Sequence, residues 1–391
     1  MNILAIPFWH GLSKPVSGGQ SRFFHISQEL KEKGNNIIIY QSKTYTSSED
    51  KKFAKIYTYS DCRIFNRGLF TIFRDIDFLF ILNLYLIIKK EKVDVVQFTY
   101  PSGVLATRLI VRLTRTNVLV VYDAQNVEAE FIEEVFANNP RYSKFERIAI
   151  PSYIRMLEGI VCKYCIDHMT SVSDRDKNQF IGRYHLNEDK ITVVPSGCRI
   201  IEPIEIKEKA IIKKEFLIPQ DTKIIIFHGS YSHIPNKEAF EIIYYRIAPQ
   251  FENGFKDVLF ITFGTGLPKF KKNNVISLGQ VEDIHALISA ADIAIAPLRK
   301  GAGTKLKVLD YLGAGLPIVT TTKGIEGINV ENGVHAIITC DVDDNFLRSI
   351  KYLLLHDSER KKFSINASNL AKDQYTWEKI GEKIDNAYRN L

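Results

Sequence analysis

The chain has 391 residues, a length that favours two domains over one. Hydrophobic residues make up 45% of it and charged residues 25%, which excludes collagen-like, disordered and coiled-coil proteins. No apolar run approaches the roughly 20 residues of a membrane-spanning helix, and the first residues lack the features of a signal peptide. Five cysteines are a small, odd number that fits a reducing compartment. We therefore predict a cytoplasmic protein.

Positive charge is unevenly distributed along the chain. The formal net charge is +7. Residues 1–200 hold 27 basic and 21 acidic side chains, whereas residues 201–391 hold 25 and 24. Segment 63–115 alone has nine basic residues against four acidic ones. This excess predicts an anionic partner for the first half of the chain.

Short strand-like runs alternate with helical patterns through the first half, which predicts βαβ units and a parallel sheet. Asn2–Phe8 is predicted as a buried strand and Gln20–Lys33 as the helix that follows it. Gly34 stands where a left-handed C-terminal cap is common. Further strands are predicted at Asn36–Gln41, Val93–Thr99, Val118–Asp123, His168–Val172 and Ile191–Val194.

The pattern restarts after Glu202–Lys214, a polar and charged stretch that we interpret as a linker. Strands are predicted at Lys223–Gly229, Val258–Gly264, Val275–Gly279, Ile293–Leu298, Pro317–Thr321 and His335–Thr339. Helices are predicted at Lys237–Ile247, Glu282–Ala290, Lys305–Leu312, Asp344–Leu355, Ser358–Asp373 and Trp377–Asn390. The expected architecture is α/β, with two doubly wound domains, a cleft between them, and ligands at the carboxyl ends of the strands.

Two glycine-containing loops precede predicted helices. Gly18-Gly19 lies between the first strand and the first helix, where backbone N–H groups can approach an anion. Its spacing matches neither a dinucleotide fingerprint nor a Walker A loop, so a simple turn is an equally good interpretation.

The strongest signal lies in segment 297–317, where a glycine loop opens directly into a helix. Gly303 gives the backbone room, Thr304 supplies a hydroxyl and Lys305 supplies an ammonium group at the helix entry. This combination suits a diphosphate. Asp310, farther along the helix, can accept hydrogen bonds from a ribose diol. The alternative is a solvated helix after a glycine turn.

These motifs, in this order and over nearly the whole chain, resemble those of the family-4 glycosyltransferases, which have the GT-B fold of two Rossmann-like domains. The matching segments are Gly18-Gly19, Ile191–Gly197, Phe227–Ser230, Pro235-Asn236, Asn274–Gly279 with Val281 and Asp283, Ala291–Pro297 and Gly315–Pro317. The Gly-x-Gly-Thr-Lys-x-Lys loop resembles a branch of the family in which the loop backbone and the basic residue bind the diphosphate.

The resemblance implies three parts: an acceptor-binding domain over 1–200, a nucleotide-sugar-binding domain over 201–373, and a C-terminal helix over 374–391 that packs on the first domain. It implies transfer of a hexose, with retention, from a UDP or GDP sugar to a hydroxyl of a glycan or lipid-linked acceptor. The context would be synthesis of a cell-envelope polysaccharide or glycoconjugate.

The resemblance also implies roles for single residues. The implied donor contacts are Gly18, Gly19, Gly303, Thr304 and Lys305 to the diphosphate, Asp310 to the ribose and the backbone around Val281 to the base. We predict no cofactor, and no metal because no Asp-x-Asp motif accompanies the site.

The sequence departs from the family pattern at two positions. The family often has two glutamates with seven residues between them, of which the first contacts the sugar or stabilises the site and the second contacts the donor ribose. Here the second falls on Asp310, which is still a carboxylate, and the first falls on Ala302, which can neither contact the sugar nor stabilise the site in that way. Sugar contacts are therefore expected elsewhere, with Glu326 as the candidate. Gln125 stands where the family often has a histidine; it can hydrogen-bond an acceptor but cannot act as a base. His10, in the loop after the first strand, is a substitute candidate, and a histidine without a role is the other interpretation.

Two further features each leave alternatives. Cys162 and Cys165 have redox or half-zinc spacing, but their apolar surroundings favour core positions. The apolar run Phe78–Ile88 has basic flanks, and Arg108, Arg112 and Arg115 are predicted to share one helix face. These features fit either a peripheral contact with an anionic membrane or a buried helix with a solvated face. A nucleic-acid partner is not expected, because no basic patch interleaved with aromatic residues is present.

Two rival functions stay open at this point. One is a nucleotide-sugar epimerase or hydrolase on the same fold, against which the lack of a base at position 125 counts. The other is a non-catalytic nucleotide-sugar-binding subunit, which the changes at Ala302 and Gln125 make conceivable.

Overall fold

The computed structural model describes residues 1–7, 11–12, 18–47, 49–60, 74–137, 142–203 and 205–391. The chain divides into two compact units. The first unit comprises Met1–Ser196 together with Trp377–Leu391, and the second comprises Gly197–Thr376.

The first unit is built on a seven-stranded sheet whose pairings are all parallel. Its strands are β1 (Asn2–Ile6), β2 (Asn36–Ser42), β3 (Lys55–Tyr59), β4 (Val95–Phe98), β5 (Leu119–Ala124), β6 (His168–Ser171) and β7 (Ile191–Val193). Their order is β3-β2-β1-β4-β5-β6-β7, so the chain moves outward from β1 first in one direction and then in the other. This doubly wound order confirms the predicted α/β class for the unit.

Helices cover the sheet of the first unit. They are α1 (Gly18–Glu32), α2 (Asp50–Phe53), α3 (Phe78–Glu91), α4 (Val104–Thr114), α5 (Glu128–Ala137), α6 (Lys144–Ile160) and α7 (Asp174–Tyr184). Side chains of β1 alternate between two core layers: Leu4 and Ile6 face the layer that includes α3 and α4, whereas Ile3 and Ala5 face α1. This two-sided burial explains why the strand is apolar from Ile3 to Ile6.

The last helix of the chain, α14 (Trp377–Arg389), packs on α1 within the first unit. Trp377 stacks on His25 with ring centroids 4.6 Å apart. The backbones come so close at Gly381 that a Cβ atom there would lie 2.4 Å from the Cβ of Glu29. Glycine is therefore required at this crossing.

The second unit contains a second seven-stranded sheet. Its strands are β8 (Lys223–His228), β9 (Val258–Phe263), β10 (Phe270–Lys272), β11 (Val275–Ser277), β12 (Ile293–Ala296), β13 (Ile318–Thr321) and β14 (Ile337–Thr339). The order is β10-β11-β9-β8-β12-β13-β14, and β10 alone runs antiparallel to its neighbour. Its helices are α8 (Ile206–Glu215), α9 (Ile234–Ile242), α10 (Ile284–Ala290), α11 (Leu306–Gly313), α12 (Asp344–Leu355) and α13 (Asp357–Leu370).

The stretch Glu202–Lys214, predicted as the linker and entry to a second domain, does lie near the start of the second unit, but it is not a linker, since most of it forms α8. Glu208 in the first turn accepts a hydrogen bond from the backbone N–H of Glu205 at 2.8 Å, which caps the helix. Lys209 pairs with Asp292 at 2.8 Å, and the buried Lys213 ammonium donates to two backbone carbonyls. The charged side chains that suggested a linker thus have partners within the second unit.

Other elements differ from the prediction in extent. The predicted helix Lys237–Ile247 begins earlier, at Ile234, because Pro235 fits the first turn. It ends at Ile242 and continues as one π turn over Ile243–Ile247. The sequence prediction did not include β3 or α5 to α7. Among the described residues, every helix is too short or too polar to cross a membrane.

Candidate active site

The loop between β12 and α11 depends on two glycines. Gly301 has φ +114° and Gly303 has φ +69°, a left-handed region that favours glycine. A Cβ atom at Gly301 would also approach Pro235 Cγ to 3.2 Å. The loop is therefore held close to α9 with its backbone exposed toward the start of α11.

Lys305 organises this loop from within. Its ammonium group donates to the carbonyl oxygens of Gly301, Ala302 and Gly303 at 2.8, 3.1 and 2.5 Å. Lys305 is the residue before α11, which begins at Leu306, rather than part of the first turn as predicted. The buried hydroxyl of Thr304 has no hydrogen-bond partner in the described part of the chain. The loop thus presents a hydroxyl donor at a helix entry.

A second lysine, Lys307, lies in the first turn of α11 and is only 8% exposed. Its ammonium group donates to Asn236 Oδ1 at 2.6 Å and stands 4.2 Å from the centroid of the Phe227 ring. Burial, together with the charge of Lys305, lowers the pKa of Lys307 to about 7. An anion bound next to this ammonium group would raise the pKa of Lys307 again and so favour its protonated form.

Gly229, at the end of β8, makes room for this arrangement. A Cβ atom at Gly229 would lie 2.7 Å from Asn236 Nδ2 and 2.8 Å from Lys307 Nζ. The ends of β8 and β9 also approach so closely that a Cβ at Gly264 would meet the Gly229 carbonyl oxygen at 2.0 Å. Sequence reasoning assigned Phe227–Ser230 and Asn236 to a family loop but gave them no part in the site.

Asp310, one turn beyond Lys307, faces His228. His228 Nε2 lies 3.6 Å from Asp310 Oδ2 and has no hydrogen-bond partner within the described ranges. Burial lowers the pKa of His228 to about 3, so the ring is neutral at pH 7 and the contact is not an ion pair. Burial also raises the pKa of Asp310 to about 7, although its side chain stays 21% exposed. This exposed edge can accept hydrogen bonds from a ligand.

Tyr311, which lies on α11 next to Asp310, contacts both the backbone and the ring of His228. Its hydroxyl accepts a hydrogen bond from the His228 backbone N–H at 3.1 Å, and the two rings meet edge to face. The imidazole also stacks on Phe263, with centroids 5.4 Å apart. The end of β8 is therefore clamped between α11 and β9.

The remaining predicted residues of the second unit lie apart from this cluster. Glu326 forms an ion pair with Lys323, three residues earlier, at 2.7 Å. Val281 lines a cavity of about 710 Å³ whose walls include Phe270, Leu278 and Leu217. These contacts do not show whether Glu326 binds the sugar or whether the backbone around Val281 binds the base, the roles that the family resemblance implies.

In the first unit, the structure brings together two predicted site residues. α1 begins at Gly18, and the side-chain amide of Gln125, at the end of β5, donates to the Gly19 carbonyl oxygen at 3.2 Å. The other predicted residue of this group, His10, lies outside the described residues.

A buried ion pair supports this loop. Arg22, on α1, contacts Asp123 Oδ1 at 2.7 Å, and both side chains are at most 2% exposed. Arg22 also donates to the Pro195 carbonyl at 2.8 Å, while Thr170 donates to the same Asp123 oxygen at 2.6 Å. These contacts join α1, β5 and β6, and sequence reasoning missed them because the partners are 101 residues apart.

Two buried carboxyl groups lie just beyond Gln125. Glu158 is fully buried and accepts from Tyr184, Tyr122 and the backbone N–H groups of Glu128 and Ala129 at 2.7 to 3.2 Å. It thereby caps the start of α5. Burial and the charge of Glu158 raise the pKa of Glu128 to about 8, so this second carboxyl group is protonated at neutral pH.

The cysteine pair lies in the core, as the apolar sequence around it predicted. Cys162 is 0% exposed and Cys165 is 4% exposed. Within the described ranges, no group of three or more His, Cys, Asp or Glu side chains is placed to hold a metal ion.

Two family models match the chain. The model described as Glycosyltransferase Family 4 matches residues 16–200, and the model described as Glycosyl transferases group 1 matches residues 222–356. Together they cover well over half of the chain. The chain therefore belongs to the family-4-like glycosyltransferases, and it is a glycosyltransferase of GT-B fold.

Particular relatives agree with this assignment. A glycosyltransferase of Methanocaldococcus jannaschii, described as uncharacterized, is 24% identical over 237 residues, 58% of this chain and 59% of that one. The chain spans less than two thirds of the length of the curated relatives it matches, 28% of one and 59% of the other.

Solved structures are similar over nearly the whole chain. HepE of Anabaena, in complex with UDP and glucose, has a TM-score of 0.70 and 12% identity, and the match covers 100% of both chains. WaaG, a glycosyltransferase involved in lipopolysaccharide biosynthesis, has a TM-score of 0.71 and 14% identity, covering 99% of this chain and 100% of that one. At these identities the likeness shows the fold, and the predicted GT-B fold is confirmed.

Proposed function

We propose that this glycosyltransferase moves a hexose from a nucleotide-diphosphate sugar to a hydroxyl of a glycan or lipid-linked acceptor, with retention. The single observation that carries the donor assignment is the buried Lys307 ammonium at the start of α11, held by a neutral amide and an aromatic ring. Asp310, on the same helix, is the acidic neighbour of this ammonium group but not a direct contact. A buried cation whose direct contacts are neutral is suited to an anionic ligand. The complex of HepE with UDP and glucose supports a UDP sugar as the first donor to try.

In this proposal, the second unit binds the donor. Lys307, the Thr304 hydroxyl and the loop around Gly303 hold the diphosphate, and Lys305 keeps that loop in place. As the glycosidic bond breaks, negative charge develops on the leaving diphosphate, and the ammonium group and the helix N-terminus stabilise it. Asp310 accepts hydrogen bonds from the ribose diol, and the backbone around Val281 contacts the base.

The first unit binds the acceptor in this proposal. Gly18 and Gly19, at the start of α1, are proposed as further contacts of the donor diphosphate, and Gln125, which lies beside Gly19, is proposed to hydrogen-bond a hydroxyl of the acceptor. Since an amide cannot take a proton, the departing diphosphate oxygen would accept the acceptor proton. Glu326 is proposed as a sugar contact and His10 as a second acceptor contact. A lipid-linked acceptor would require a cytoplasmic, peripheral location at a membrane surface.

A ligand panel followed by a turnover assay tests this function. UDP, GDP and ADP sugars are compared by thermal shift, because a ligand that binds the folded state raises the unfolding temperature. We expect one nucleotide series to stabilise the protein and its sugar to be released only when an acceptor is added. Release of sugar without acceptor would instead indicate a hydrolase, and stabilisation without transfer to any acceptor would indicate a binding subunit.

A further inference from the structure

Helix α3 is apolar over Phe78–Ile88 apart from Asn83, yet only one side is buried. The buried side consists of Phe80, Leu84, Ile87 and Ile88, each at most 4% exposed. The opposite side carries Phe78 at 73%, Leu79 at 69%, Leu82 at 41% and Leu86 at 52% exposure, together with the exposed Asn83. A helix with so many apolar residues is expected to be largely buried, so the apolar residues of this outer side lack the cover that the composition calls for.

The neighbouring helix α4 extends the same surface. Leu109 and Leu113, one turn apart, are 52% and 84% exposed. Both helices pack on the same side of the sheet through a shared core layer, so their outer sides are adjacent. Single exposed apolar side chains are ordinary, but a contiguous group marks an interaction surface. We call this group the apolar face: Ile76, Phe78, Leu79, Leu82, Leu86, Leu109 and Leu113.

Basic side chains border one end of the apolar face. α3 leads into β4 and α4 leads into β5, and these two strands are parallel neighbours, so both helices end at the same edge of the sheet. Exposed cations cluster at that edge: Lys89, Lys90, Lys92, Arg112, Arg115 and Lys163. Tyr164, which is 66% exposed, lies among them, and its carbonyl accepts from Arg112 at 3.5 Å. Three acidic residues lie at the same edge: Glu91 is bound by Lys55 and Tyr57, Asp167 pairs with Arg108, and the exposed Asp94 accepts from the Asn2 backbone N–H at 2.7 Å. The six exposed cations outnumber them.

The predicted arginine face needs correction. Arg108 pairs with Asp167 at 2.7 Å and donates to the Cys165 carbonyl at 2.7 Å, so its charge is neutralised within the first unit. Arg115 lies just after α4 in a left-handed conformation. Arg74 is 4% exposed and packs against Tyr59. Within the described part of segment 63–115, the exposed positive charge therefore lies at the C-terminal ends of α3 and α4.

We propose that the apolar face docks on an anionic lipid bilayer, with its side chains in the boundary between headgroups and acyl chains and the cations of the border on lipid phosphates. Apolar surface, flanking lysines and arginines, and an interfacial tyrosine are the combination that such contacts use. The inference rests on the proposed function for its purpose, because a bilayer would present a lipid-linked acceptor to the first unit.

Vesicle flotation tests the docking. Parent protein is mixed with phosphatidylcholine vesicles with or without phosphatidylglycerol. We expect flotation with the anionic vesicles that weakens as salt is raised. Leu79→Gln/Leu113→Gln should abolish it, and Lys89→Ala/Arg112→Ala should weaken binding about 30-fold, since each cation near the surface contributes about fivefold.

Matched controls lie on exposed positions of the second unit. Leu355→Gln/Ile365→Gln and Lys361→Ala/Lys362→Ala should float like the parent, because these residues are exposed but distant in sequence from the apolar face. The proposal is overturned if the parent ignores anionic vesicles or if both test variants bind like the parent. It is also overturned if the parent is a dimer in solution that the leucine variant converts to a monomer.

Donor binding separates this proposal from the function on which it rests. The leucine and cation variants should retain the thermal shift that the nucleotide sugar produces in the parent. If no nucleotide sugar shifts the parent while vesicle binding persists, the proposed function fails and the docking surface stands. If donor binding is normal and flotation is absent, the docking surface alone fails.

Discussion

Arg22 in the first unit and Lys307 in the second are both buried cations close to the start of a helix, but their partners differ. Arg22 meets the carboxylate of Asp123 at 2.7 Å and further oxygens around it. Lys307 meets the neutral amide of Asn236 and the face of Phe227. The first cation forms a direct ion pair within the protein, whereas the second has no direct carboxylate contact among the described residues and interacts with Asp310 on the same helix only through the electrostatic field. We propose that buried charge maintains structure in the first unit and binds the donor in the second.

The largest effect should follow from breaking the pair in the first unit. Arg22→Met leaves the Asp123 carboxylate buried without its cation, which should lower the free energy of unfolding by about 3 to 5 kcal/mol. Urea denaturation measures this change. Arg299→Met, which removes a half-exposed ion pair with Asp341, is the matched control and should cost less than about 1 kcal/mol. Equal losses in the two variants would contradict a structural role for the buried pair.

A smaller effect is expected in the loop before α11. Lys305→Ala removes the common donor of three carbonyl groups, so the loop around Gly303 should lose its order and the donor affinity should fall about tenfold. Calorimetric titration measures this loss. Lys300→Ala, in the same loop but with its ammonium 3.5 Å from Glu238, serves as the control. The same affinity in both variants would show that Lys305 has no part in donor binding.

Donor affinity should also depend on pH in opposite ways on the two sides of neutrality. Lys307 attracts an anion when it is protonated, so binding should weaken as the pH rises above its pKa of about 7. Asp310 accepts hydrogen bonds best when it is ionised, so binding should weaken as the pH falls below its pKa of about 7. Each limb is at most tenfold per pH unit. A UDP sugar is the suitable probe, because its diphosphate does not titrate in this range.

Single variants assign these two limbs. Lys307→Met should flatten the alkaline limb and Asp310→Asn the acid limb in calorimetric titrations across the pH range. A profile for the parent that is flat through pH 7 would contradict both assignments.

In the first unit, pH should act on stability rather than on donor binding. Glu128 has a folded-state pKa of about 8, above its ordinary value of 4.5. Between these values the folded protein retains a proton that the unfolded chain releases, so stability should fall as the pH rises, by at most about 1.4 kcal/mol per unit from this group. Glu128→Gln should remove this slope in urea denaturation at several pH values. An unchanged slope would show that Glu128 ionises normally.

Local patterns in the sequence were sufficient for the fold class. Strands such as β1 and β12 are buried on both faces, so they contain unbroken apolar runs, Ile3–Ile6 and Ile293–Ala296, that are easy to recognise. The glycines of the 301–303 loop could also be identified, because a left-handed backbone favours glycine irrespective of distant contacts. Helix α8 was mistaken for a linker because its charges suggested solvent, whereas Lys209 and Lys213 have partners within the unit.

The site could be predicted only in part, because its main contacts join residues far apart in the chain. The lysine–amide contact spans 71 residues, from Asn236 to Lys307, and periodicity carries no information on such a pair. The sequence indicated Lys305 as a cation that contacts the diphosphate, whereas in the folded loop its ammonium group donates to three carbonyl groups of the loop itself. Arg108 was likewise assigned to a basic surface, although Asp167 neutralises it.

Calorimetric titration of a UDP sugar into the parent and Lys307→Met tests the central claim most directly. Methionine keeps the packing on Phe227 but removes the charge and the hydrogen bond to Asn236, and Lys361→Met provides an exposed control. We predict that Lys307→Met weakens binding about 30-fold, the contribution of one charged hydrogen bond, while the variant remains folded in urea denaturation. The control should bind like the parent. If Lys307→Met binds every nucleotide sugar that the parent binds with unchanged affinity, the buried ammonium is not the diphosphate site.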